Sequence, residues 1–75
     1  MNIYHHPARG NASEYWTLIM ESSQEAREIA RNLPWRWRSV INFFGSEIMF
    51  ITTYKDFATG FALRHGLQIE DGTDG

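Results

Sequence analysis

The chain has 75 residues, 43% of them hydrophobic and 15% aromatic, a formal charge of −2 and no cysteine. That describes one domain, too apolar for a disordered chain, and it excludes disulfides and the commonest zinc and redox motifs. No run approaches the roughly 20 apolar residues of a membrane span, and residues 1–11 carry no signal-peptide pattern, so a cytoplasmic protein without a membrane partner is expected.

Domains this small bury little and often need a staple. Five phenylalanines, three tryptophans and three tyrosines supply bulk here, and a homodimer would supply more burial. Charge is distributed unevenly. Glu70, Asp71 and Asp74 crowd the C-terminal end, whereas Arg27, Arg31, Arg36 and Arg38 concentrate in one stretch. Arginine suits bidentate contacts with carboxylate or phosphate.

In chain order, residues 1–12 read as an irregular lead-in. Pro7 and Gly10 break it, and Ile3 and Tyr4 are free to dock on the domain. His5 and His6 lack an acid or thiol at ligand spacing, so no metal site is expected. Residues 14–20 form the first strand, rich in residues that suit a half-buried pleated surface. Trp16, Leu18 and Met20 face the core; Tyr15, Thr17 and Ile19 face away.

Residues 22–33 read as a helix. Ser22 and Glu25 have capping-box spacing. Ala26, Ile29, Ala30 and Leu33 recur on one helical face, and Pro34 ends the helix.

Residues 35–44 and 47–53 then read as a hairpin turning at Gly45-Ser46. That turn pairs Val40 with Ile51 and Ile41 with Phe50. Trp37, Ile41, Phe43, Ile48 and Phe50 form its core face. Arg38, Val40, Asn42, Phe44, Met49 and Ile51 lie on the other.

A second helix over residues 53–65 has Thr53 and Asp56 at capping spacing and Tyr54, Phe57, Ala58 and Phe61 on one face. Gly60 interrupts it, as a site of close contact, and Gly66 has the position of a left-handed cap. Residues 67–70 form a short final strand. The domain therefore covers residues 13–69, with an acidic, disordered tail over 70–75.

The order β-α-β-β-α(-β) predicts an α+β, ferredoxin-like two-layer sandwich, an antiparallel sheet with both helices on one face. The opposite face then displays Tyr15, Thr17, Ile19, Arg38, Val40, Asn42, Phe44, Met49 and Ile51. Ile19, Val40, Phe44, Met49 and Ile51 would expose more apolar surface than a monomer usually leaves bare. A second copy is the least demanding cover, because symmetric dimers are the commonest soluble oligomers. The alternative cover is the lead-in or the tail.

Candidate binding residues are Trp35, Arg36, Arg38, Val40, Phe44, Met49 and Ile51, with Arg27, Arg31, Arg36 and Arg38 as a basic patch. In Trp35-Arg36-Trp37-Arg38, cations alternate with rings that are common in binding hot spots. The competing reading is that both rings close the end of a small core.

A sheet with an aromatic open face resembles the RNA-recognition motif in outline. Its base-stacking strand would be residues 47–53, which carries no basic residue and directs Phe50 to the core. The pI of about 5.8 also opposes a strong electrostatic footprint. Single-stranded nucleic acid is therefore the alternative partner and a protein the first. No nucleophile, base and acid fall into a catalytic pattern, so neither enzyme activity nor a cofactor is expected.

Residues 56–67, Asp56-Phe57-Ala58-Thr59-Gly60-Phe61-Ala62-Leu63-Arg64-His65-Gly66-Leu67, resemble the closing helix of short phage-encoded accessory proteins, with an aromatic-x-leucine-arginine-x-glycine ending. Some of those proteins bind and inhibit a host enzyme or defence complex. The resemblance implies a small interaction protein in the host cytoplasm and transfers no site residues. Gly60 in mid-helix and the His-rich lead-in have no counterpart in that pattern.

Overall fold

The computed structural model describes residues 1–34, 36–40 and 47–72. Five strands and two helices follow in the order β1 (Asn2–His6), β2 (Tyr15–Glu21), α1 (Gln24–Arg31), β3 (Arg38–Val40), β4 (Glu47–Thr52), α2 (Lys55–His65) and β5 (Ile69–Asp71). The strands form one sheet in the order β3-β4-β2-β1-β5. Pairing is antiparallel throughout, except that β5 runs parallel to β1.

The two-layer α+β architecture holds, but the strand order is not ferredoxin-like. In the expected order, β5 would lie directly against β2. Here β1 is inserted between them, and the sheet becomes mixed. The stretch read as an irregular lead-in is thus an interior strand, with Ile3 completely buried. Likewise Glu70 and Asp71 belong to β5 rather than to a disordered tail. Glu70 and Asp71 pair with Tyr4 and His5, and the Gly72 amide donates to the His5 carbonyl at 2.8 Å.

Alternation sorts the side chains. Cross-strand partners share a face, so Ile3, Leu18 and Phe50 line up beneath the helices, beside Trp16 and Met20. Ala26 of α1 and Ala58, Phe61 and Ala62 of α2 complete that core, with Trp37 meeting Phe61 edge-on at a centroid separation of 5.9 Å. Small alanines let α2 approach β2 and β4 closely. Burying one such core side chain, Leu18 for example, contributes about 2–3 kcal/mol. Ile48 is only partly buried, and Ile41 and Phe43 lie outside the described residues.

Local details differ from the sequence expectation. Ser23, not Ser22, caps α1: its Oγ accepts from the Ala26 amide at 3.1 Å, which leaves Glu25 too early to close a capping box. Tyr54 occupies the cap position of α2 without a side-chain bond, and Thr52 instead accepts the Tyr54 amide at 3.2 Å.

In the hairpin, Arg38 pairs with Ile51 and Val40 with Met49, two residues from the expected register. A shift of two leaves each residue on its own face, so the apolar pattern cannot distinguish the two registers. Gly60 is exposed, and a Cβ there would meet nothing within 4 Å; it is not a contact site. Gly66 does adopt the left-handed cap, at φ 65°.

Candidate functional site

The sheet face opposite the helices is built in rows. The longest crosses all five strands: Arg38, Ile51, Thr17, Tyr4 and Glu70, from β3 to β5. A shorter row beside it holds Met49, Ile19 and Asn2. On the other side His6 lies over Tyr15, with ring centroids 4.4 Å apart and planes within 8°. Glu21 and Glu47 pair at the far end of β2 and β4. Both helices are on the core side, and among the described residues no helix lies over this face.

Thr17 stands at the centre. It is buried, and its Oγ1 shares a 3.0 Å hydrogen bond with His6 Nε2. Gly72 closes on the same imidazole: a Cβ at that position would come within 2.6 Å of the ring, so a larger residue there requires the ring to shift. The Tyr4 hydroxyl accepts a 3.3 Å hydrogen bond from Asn2 Nδ2. Ile19, Met49 and Ile51 are half-buried by their neighbours and complete an apolar centre.

Charges sit at the ends of the long row. Arg38 and Glu70 are both exposed. Four strand spacings, roughly 19 Å, separate them. They cannot reach one another within the chain.

Of the residues singled out from sequence, Arg38, Met49 and Ile51 come together on this face. Val40 joins through its backbone pairing with Met49. Trp35 and Phe44 lie outside the described residues.

Arg36 is engaged elsewhere. Its Nη1 donates to the Tyr54 hydroxyl at 2.6 Å, and its guanidinium carbon lies 4.5 Å from the centre of that ring. Arg27 and Arg31 are exposed on α1, in the helical layer, whereas Arg38 faces away from it. The four arginines are not gathered into one patch.

Sequence reasoning missed Tyr4, His6 and Glu70. Their signal was weak. Residues 2–6 contain one aliphatic side chain, and strand formation there rests on pairing with β2 and β5 on both sides.

Two concavities lie on the helical side. A groove of about 420 Å³ between the helices has a floor of Ile29, Leu33, Trp37 and Phe61. His65 stacks on Phe61 at 4.2 Å, at one side of that groove. The second concavity, near β5, holds His5, which pairs with Glu14 at 2.9 Å and stacks on Trp16 at 5.0 Å. Among the described residues no three His, Cys, Asp or Glu side chains are grouped to hold a metal ion, and no helix is long and apolar enough to cross a membrane. No protein-family model, no curated protein and no solved structure matches the chain.

Proposed function

We propose that this chain is a small, non-enzymatic interaction protein of the cytoplasm that binds another polypeptide through the helix-free sheet face. One observation carries the reading. Ile51, Met49 and Ile19 adjoin Thr17 and Tyr4 across three neighbouring strands, on a face with no helix over it among the described residues. A flat apolar centre with charges at its margin has the anatomy of a protein interface. The resemblance of residues 56–67 to phage accessory proteins points the same way: the partner would be a host factor whose activity is blocked or modulated, unless it is another copy of the chain.

The test uses Ile51→Glu. Its side chain is half-buried on the open face and plays no part in the helical core. The variant keeps the circular dichroism spectrum and loses association, both with itself and with proteins captured from the native host. Unchanged association on both counts removes the face from the account.

A second reading rests on a separate feature of the same face. Tyr4, His6 and Tyr15 place three rings on adjacent strands, the arrangement that base stacking uses. The charges oppose it. Among the described strand residues of that face, Arg38 is the only arginine or lysine, while Glu21, Glu47 and Glu70 share the face. Filter binding of single-stranded RNA and DNA decides the matter: retention at low salt that declines steeply as salt rises would favour nucleic acid over protein.

A further inference from the structure

We propose that the polypeptide seated on the helix-free face is a second copy of this chain, related by a two-fold axis that runs along β2, with Arg38 of each protomer against Glu70 of the other. The inference rests on the reading of that face as a protein-binding surface.

It follows from the symmetry of the long row. β2 is the middle of five strands, and Thr17 the middle of five residues. Arg38 and Glu70 lie two strands away on opposite sides. When two such faces stack, the symmetry axis must lie between them and parallel to them. An axis along the strands carries β3 over the partner's β5 and β4 over the partner's β1. Arg38 then meets the partner's Glu70, twice per dimer. Ile51 covers the partner's Tyr4, and Thr17 lies over its own copy.

An axis across the strands instead puts Arg38 over Arg38 and Glu70 over Glu70. Like charges directly opposed are unfavourable. The axis along the strands also sets Glu21 over its own copy, roughly 13 Å along β2 from Thr17, but it replaces the two like-charge contacts of the long row with two opposite-charge ones, and that balance favours the first arrangement. An unrelated partner gives no reason for charges of opposite sign at equal distances from the central strand. A two-fold dimer requires that self-complementarity.

The same arrangement answers the small size of the core. Each face covers the other's Ile19, Met49 and Ile51, and stacked sheets meet at about 10 Å, within reach of an arginine and a glutamate leaning toward each other at the margin.

Sedimentation velocity over a concentration series tests the proposal on four proteins: wild type, Arg38→Glu, Glu70→Arg and the double exchange Arg38→Glu with Glu70→Arg. Both positions are exposed, so the fold survives these changes. The wild type dimerises. Each single reversal weakens the dimer at least about tenfold, because it sets like charges against each other twice. The double exchange restores association to within about threefold of wild type.

Single reversals without effect, or a double exchange no better than either single one, overturn the proposal. A wild type that is monomeric at every concentration also overturns it. That last result leaves the face as a binding surface for a different protein, which Ile51→Glu examines separately through capture from the host.

Discussion

Gly60 and Gly66 belong to the same helical segment and have opposite relations to their side chain's absence. Gly60 is exposed in mid-helix, with open space where a Cβ would be. Its only effect is to leave the unfolded chain freer. Gly60→Ala is expected to stabilise the domain by about 1 kcal/mol. Gly66 holds φ 65°, where an L side chain is strained, and Gly66→Ala is expected to destabilise it by roughly 1–2 kcal/mol. Urea unfolding with an unchanged slope reads both; equal effects of the same sign would contradict the helix end described. Gly66 was legible from sequence because a glycine followed by an apolar residue at a helix end has a local cause. The cap of α1 was not. Two adjacent serines precede it, and Ser22 has a glutamate at capping-box spacing. The structure uses Ser23, because the helix starts at Gln24. Side-chain patterns alone did not fix the starting residue.

At the level of elements, β1 is the main departure from the sequence reading. Asn2-Ile3-Tyr4-His5-His6 lacks the aliphatic run by which interior strands usually announce themselves. It does not need one, because among the described residues one side of the sheet carries no helix, and that side tolerates Tyr4 and His6. Ile3 is then the strand's single anchor in the core, buried completely against Leu18 and its neighbours. Ile3→Ala is expected to cost about 2–5 kcal/mol in denaturant unfolding, as for other large-to-small core changes. A cost near zero would return residues 2–6 to a peripheral lead-in. The hairpin illustrates a different limit. Among its described residues the faces were correct from sequence, with Arg38, Met49 and Ile51 on one side and Trp37 and Phe50 on the other. Its register was displaced by two, because period-two alternation survives such a shift and only the turn could have decided it.

Across the whole molecule, the α+β class, the single helical layer and the residues Tyr15, Thr17, Ile19, Arg38, Met49 and Ile51 of the opposite face were legible from alternation and helical periodicity. The part contributed by β1 and β5 was not, since pairing between distant segments leaves little local trace. That part matters most for function. It brings Tyr4 and His6 beside Thr17 and Tyr15, and it sets Glu70 at the far end of the row that Arg38 begins. An apolar centre thereby becomes a face that complements itself. Within one protomer Ile51 and Tyr4 are separated by β2, at roughly 10 Å, too far for a strong nuclear Overhauser effect between the Ile51 methyls and the Tyr4 ring. In the two-fold dimer they touch across the interface. The most direct measurement is therefore an isotope-filtered Overhauser experiment on a mixture of labelled and unlabelled protein. The account predicts a cross-peak between Ile51 methyl protons of one protomer and Tyr4 ring protons of its partner; a well-dispersed spectrum lacking that cross-peak, at a concentration where the wild type is dimeric, would contradict it.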